Sequence, residues 1–149
     1  MDDDARTAPP SLSALTTYLL SRTGKTARAR LADRLAARHL RLWHHAVLAA
    51  LADFGPHAQR DLATRLTIDP SDMAKILDEL ATAGHVDRLR DPADRRRVLV
   101  TLNDSGRGLL AELDAEAQAV QAEMLEPLSG AERRQLNALL RKVFEHTSS

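Results

Sequence analysis

The stretch DPSDMAKILDELATAG, residues 69–84, runs into HVDRLRDPADRRRVLVTL, residues 85–102, and the periodicity changes at one glycine. That change decides the fold. Asp69 can cap a helix, Pro70 suits the first helical position, and Asp72 sits in the acid-favouring first turn. Met73, Ile76, Leu77 and Leu80 recur at helical steps and make one apolar face. Ala83-Gly84 ends the segment, because glycine takes the left-handed cap without steric cost. His85–Leu89 and Arg97–Leu102 then read as two short strands. Arg90-Asp91-Pro92-Ala93-Asp94-Arg95-Arg96 is the turn between them. A capped helix followed by a basic β-hairpin is the expectation.

Upstream, residues 1–11 are polar with Pro9-Pro10 and read as a frayed tail. An apolar stripe through Leu12, Leu15, Leu19, Ala27, Leu31 and Leu35 predicts a helix to about Arg38, with Gly24 as a candidate bend. A second helix spans about Leu42 to Asp53 and stops at Phe54-Gly55-Pro56; a third covers about Gln59 to Leu66. Downstream, Asn103 can cap a long helix carrying Leu109, Leu113, Ala117, Val120 and Met124, closed by Pro127. Ser129-Gly130-Ala131-Glu132 is a capping box for a last helix whose apolar face is Leu136, Leu139, Leu140, Val143 and Phe144.

Composition narrows the function. Its 149 residues, rich in Leu and Ala, favour one mostly α domain over residues 12–149. The absence of cysteine excludes a disulfide framework, a thiolate metal site and a thiol redox sensor. An acidic start, Met1-Asp2-Asp3-Asp4, is unlike a signal peptide, and no apolar run reaches membrane-spanning length, so a soluble cytoplasmic protein with no membrane partner is expected. Formal net charge is zero, which counts mildly against nucleic-acid binding. Its distribution is more informative: Arg88–Arg97 holds five arginines against Asp91 and Asp94.

From about Leu40 to Leu140 the chain resembles the MarR (multiple antibiotic resistance regulator) family of bacterial transcription factors. The residues that carry the resemblance begin with Val47-Leu48-Ala49-Ala50-Leu51, Asp61-Leu62-Ala63-Thr64-Arg65-Leu66 and Asp69-Pro70-Ser71 through Leu80. They continue with Ala83-Gly84-His85-Val86-Asp87-Arg88, Asp91-Pro92-Ala93-Asp94-Arg95-Arg96-Arg97, Leu102-Asn103-Asp104-Ser105-Gly106-Arg107 and Leu128-Ser129 through Leu140. The resemblance implies a winged helix-turn-helix lobe over 41–102 with a two-stranded β wing. It also implies a helical dimerisation region from 12–40 and 103–149, and double-stranded DNA and a second copy of the chain as partners. A dimeric, effector-responsive repressor reading a pseudo-palindromic operator follows from it.

A recognition helix meets base edges and phosphates with its first turns, and arginines at a hairpin tip can enter a narrow minor groove. Ser71, Asp72, Ala74 and Lys75 are therefore the expected contacts on the helix, Arg95 and Arg96 at the tip, and Arg88 and Arg97 on the backbone. Asp94, two residues before Arg96, can orient that guanidinium. Three features depart from the family pattern: Ala58 lacks a capping hydroxyl, Asp72 replaces one, and Glu79 stands where a basic residue is common.

The same resemblance implies a pocket for a small aromatic or lipophilic acid, and Tyr18, His39, Trp43, His44 and His45 are the candidates to line it. The plainer reading is that these are packing or solvated side chains. The histidine spacings of five and six do not suit two metal ligands on one helical turn, so neither metal nor cofactor is expected. Thr23-Gly24-Lys25-Thr26 lacks the preceding strand and glycine of a phosphate loop, and no catalytic constellation appears; no enzyme activity is expected. The competing reading, prompted by zero net charge and the acids on the 69–83 helix, is a winged-helix protein-interaction module with little affinity for DNA.

Overall fold

The computed structural model describes residues 7–149, and the first six residues of the expected tail lie outside the described residues. The elements run α1 (Pro10–Ser13), α2 (Thr16–Ala36), α3 (Leu42–Phe54), β1 (His57–Ala58) and α4 (Gln59–Leu66). They continue with α5 (Pro70–Thr82), β2 (Val86–Arg90), β3 (Val98–Leu102), α6 (Asp104–Met124) and α7 (Gly130–Thr147). α2 continues as helix through Gly24. The chain forms two compact units: Arg28–Ala117, and the described residues up to Ala27 together with Gln118–Ser149. Among the described residues no helix is long and apolar enough to cross a membrane.

The core of the Arg28–Ala117 unit follows the apolar periodicity. Val47 and Leu48 of α3, Leu62 of α4, Met73 and Leu77 of α5, and Leu113 of α6 are fully buried, with Ile76 and Leu80 nearly so. Truncating one such leucine to alanine costs about 2–5 kcal/mol, so this face alone commits α5 to its packed position. The wing is a hairpin of β2 and β3 with Val86 opposite Leu102 and Arg90 opposite Val98. The sheet has a third member, in the order β1-β3-β2, because His57 and Ala58 pair with Val100 and Leu99. A two-residue strand carries too little alternation to register as a strand in the sequence. The same Ala58 is the N-cap of α4 and makes no side-chain cap bond.

Three helices of this unit end in the same left-handed reversal. The N–H of His85 donates to the Leu80 carbonyl at 2.9 Å, that of Ile68 to Ala63 at 2.9 Å, and that of Leu40 to Leu35 at 3.0 Å. The residues forced to positive φ are Gly84, Thr67 and His39. Only the first is the glycine such a cap favours.

The junction after β3 is tighter. Asn103 accepts the Gly106 N–H at 2.9 Å, capping α6, and its amide donates to the Gly84 carbonyl at 2.8 Å. One side chain thus joins the end of α5 to the start of α6. In the other unit, Ser129 Oγ accepts the Glu132 N–H while Glu132 accepts the Ser129 N–H, the expected capping box of α7.

Candidate nucleic-acid interface

α5 presents Ser71, Asp72, Lys75, Asp78 and Glu79 to solvent, with Ala74 half-buried. Its N-cap forms as the sequence predicts: Asp69 Oδ1 accepts the Ser71 N–H at 2.8 Å. The Ser71 hydroxyl also turns onto Asp69, and these two donors hold the Asp69 carboxyl below the usual aspartate range. The hydroxyl of this expected DNA contact is therefore engaged within its own cap.

The wing tip is organised by its aspartates. Asp91 accepts the Ala93 N–H at 2.9 Å and Asp94 accepts the Arg96 N–H at 3.1 Å, two side-chain turns in succession. The Arg97 N–H donates to the Asp94 carbonyl and closes the tip. Asp94 lies 3.3 Å from Arg96 Nε, while the Arg96 side chain is 93% exposed. Arg95 is exposed as well, and its carbonyl accepts from Arg90. The tip therefore projects a guanidinium that is braced from behind and open in front.

The other two arginines are tied to the helices. Arg88 of β2 donates to Asp78 of α5 at 2.6 Å, and Arg97 donates to Asp61 of α4 at 2.8 Å. Each flank of the wing is thus held by one helix of the pair that precedes it. Asp61 and Asp78 escaped the sequence reading, since their partners lie 36 and 10 residues away and no local pattern links them. A second unforeseen group stands beside α4. The Arg65 guanidinium stacks 4.0 Å from the Phe54 ring centroid and donates to His57 Nε2 at 3.0 Å.

Glu79, read from the sequence as standing where a basic residue is common, is engaged by protein. Its Oε2 lies 2.6 Å from His44 Nε2, and Arg41 reaches its other oxygen at 3.4 Å. The His44 bond is the chief cause that lowers the Glu79 carboxyl below the usual glutamate range, with Arg41 and Lys75 adding to it.

The five residues expected to line an effector pocket divide. His39 and His44 border a cleft of about 670 Å³ with Arg41, Lys75 and Leu109. Trp43 and His45 border another of about 550 Å³ with Arg28 and Leu31. Trp43 is half-buried against the core, and His45 Nε2 lies 2.8 Å from Asp114. Tyr18 belongs to the other unit, where the Arg22 guanidinium lies 5.9 Å from its ring centroid.

The MarR family model matches residues 42–98. The repressor NicR of Pseudomonas putida is 33% identical over 98 residues, 66% of this chain and 62% of that protein. The transcriptional regulator HosA of Escherichia coli is 31% identical over 121 residues, 74% of this chain and 90% of HosA. Among solved structures, BpsR of Bordetella bronchiseptica, whose DNA binding is regulated by 6-hydroxynicotinic acid, matches with a TM-score of 0.72 and 30% identity. That match covers 91% of this chain and 97% of the other. A core laid out by helical periodicity, a capped exposed helix and an arginine-tipped wing thus coincide with sequence and structural likeness, and the chain is a DNA-binding transcription regulator belonging to the MarR family.

Proposed function

We propose that the protein is a dimeric, effector-responsive repressor that reads a pseudo-palindromic operator. α5 lies in the major groove with Ser71, Asp72, Ala74 and Lys75 toward the DNA, and Arg95 and Arg96 of the wing enter the adjacent minor groove. Arg88 and Arg97 serve the phosphate backbone from the flanks of the wing. The observation that carries this reading is the tip itself: Arg96 projects into solvent while Asp94 holds it by main chain and side chain. A guanidinium fixed in advance loses less conformational entropy on entering a narrow groove.

Dimerisation is supported by the unit that contains both chain ends. There Leu15, Leu19, Leu139, Val143 and Phe144 are exposed, Phe144 to 68%. Large apolar side chains exposed on α7, on α2 and just before α2 are the expected signature of a subunit interface. A two-fold dimer would place its half-sites about one helical turn of DNA apart. NicR, a repressor, and BpsR, a regulator answering to a hydroxylated heteroaromatic acid, support repression and an effector of small aromatic acid type. The clefts bordered by His39, and by Trp43 and His45, are the places for it.

The test is a salt series of fluorescence anisotropy on a labelled duplex from the intergenic DNA upstream of the gene. Wild type should lose affinity steeply with salt. Arg96→Ala should weaken binding and reduce the slope of log K against log salt by about 0.9. An unchanged slope and affinity would remove Arg96 from the interface. A duplex that never binds above background would favour the winged-helix interaction module instead.

A further inference from the structure

Arg97 closes the wing tip with its main chain and ties it down with its side chain. Its N–H donates to the Asp94 carbonyl at 2.9 Å, and its own carbonyl accepts the Asp91 N–H at 2.9 Å. Asp91 and Asp94 are the residues whose carboxylates shape the tip, and Asp94 also holds Arg96. The turn from Asp91 to Arg97 is therefore one bonded piece. The 2.8 Å bond from Arg97 Nη2 to Asp61 fastens that piece to α4.

α4 grips the same sheet at a second point. Arg65 stands one turn after Asp61 on the same helix face. It donates from Nε to His57 Nε2 at 3.0 Å and stacks on the Phe54 ring. His57 in turn pairs with Val100 of β3. Arg97 and Val100 are about 10 Å apart along an extended chain. Arg65 thus anchors the middle of β3, while Asp61 anchors the end nearest the tip. On the opposite strand, Arg88 is tied to α5 at the middle of β2. Take away the Asp61 bond and the turn hangs from the middle of the sheet.

We propose that Asp61 is a positioning residue for DNA binding: by holding Arg97 it sets the direction in which the wing tip carries Arg96. Asp61 acts through Arg97 and not on the duplex. The bond uses one of the five donors of the guanidinium, which leaves others for phosphate. By charge alone a carboxylate near DNA weakens binding, so its removal would tighten the complex. A carboxylate that aims the wing has the opposite effect, and the sign separates the two.

The inference rests on the reading of the wing as the element that enters the minor groove, and its test keeps the two apart. Anisotropy on the same upstream duplex, at fixed salt, compares Asp61→Ala, Arg97→Ala and the double variant. Asp61→Ala should weaken binding by about two- to fivefold, the worth of one exposed ion pair. Asp61 also lies in the first turn of α4, whose N-cap Ala58 makes no side-chain bond, and an acid there steadies the helix. That contribution does not depend on Arg97, so the cycle cancels it. Added to Arg97→Ala, the Asp61 change should weaken binding no further. Unchanged or tighter binding by Asp61→Ala, or equal weakening in both backgrounds, would overturn the proposal.

Spin labels read the wing without DNA. The chain has no cysteine, so Thr64→Cys on α4 and Ala93→Cys at the tip, both exposed, each take one label. Labelled full chain diluted in unlabelled chain reports the intramolecular distance. Its distribution should be narrow with Asp61 and Arg97 in place, and should broaden when either is replaced by alanine. A distribution that neither substitution changes would sink the proposal. A distribution that responds, with a duplex that never binds, would uphold the tie and count against the DNA reading alone.

Discussion

Gly106→Ala should destabilise the protein although alanine is the better helix former. Gly106 lies in the first turn of α6, and a Cβ there would stand 2.1 Å from the His85 carbonyl oxygen and 2.5 Å from Leu102 Cδ1. The leucine methyl can turn aside, but the carbonyl belongs to main chain held between the Gly84 cap and β2. Restoring a contact of normal length requires the start of α6 to retreat by about 1 Å, which puts strain on the Asn103 cap. Overpacking of this kind costs about 1–3 kcal/mol. Losing the cap adds about 1 kcal/mol, and helix propensity returns a similar amount.

A net loss of about 2 kcal/mol lowers Tm by roughly 4–8 °C in a chain of this size. Gly108, two residues on in the same helix, is the control, since a Cβ there meets nothing within 4 Å. Gly108→Ala should raise stability by about 0.5–1 kcal/mol. Urea unfolding at one protomer concentration, with unchanged m-values, reads both. Equal shifts in the two variants, or a Gly106→Ala protein as stable as wild type, would refute the close approach.

His39→Gly should be stabilising by up to about 1 kcal/mol, because φ of 60° at that helix end suits glycine and strains an L residue; a lower urea midpoint would show that the His39 side chain supplies compensating contacts. Glu116 should make an acid-sensitive contribution. Its folded pKa is lowered from the ordinary 4.5, first by the Arg34 hydrogen bond and then by Arg38. Its stabilisation is therefore complete above the unfolded value and lost as pH falls through the folded one. The Tm of Glu116→Gln should lie below wild type at neutral pH and converge on it as the pH falls through the folded value; a gap that stays constant down the whole acid series would assign the loss to packing.

How much of this was legible in the sequence depended on the range of each interaction. The α5 stripe of Met73, Ile76, Leu77 and Leu80, the Asp69 cap, the Gly84 stop and the Ser129 box lie within a few residues of one another, and each formed as expected. The Asp94–Arg96 contact was legible for the same reason. Asp61–Arg97 and Glu79–His44 were not, since they join residues 36 and 35 apart, and a carboxylate gives no local sign of its partner. β1 was lost because two residues cannot show a period. The left-handed ends at His39 and Thr67 were hidden because tertiary packing imposed a conformation that neither residue prefers.

Zero net charge argued against a DNA-binding protein, and the placement of the carboxylates resolves the point. Asp61, Asp78, Glu79, Glu112 and Glu116 each sit on an arginine or histidine of the same chain. A polyanion feels charges within a Debye length of about 8 Å, not the total over the molecule. On the proposed reading, what matters is the field at the wing tip, where Arg96 stands open. Asp94→Asn separates the two views. Asparagine can still accept the Arg96 N–H and keep the turn, but it removes one negative charge beside the groove. If overall charge governed binding, the variant would bind a duplex more tightly. If bracing governs, loss of the charge-assisted contact to Nε should weaken binding by up to about fivefold, the value of an exposed pair. We expect weakening, and anisotropy at fixed salt decides it; tighter binding by Asp94→Asn would mean that Arg96 needs no orientation and that the tip acts as charge alone.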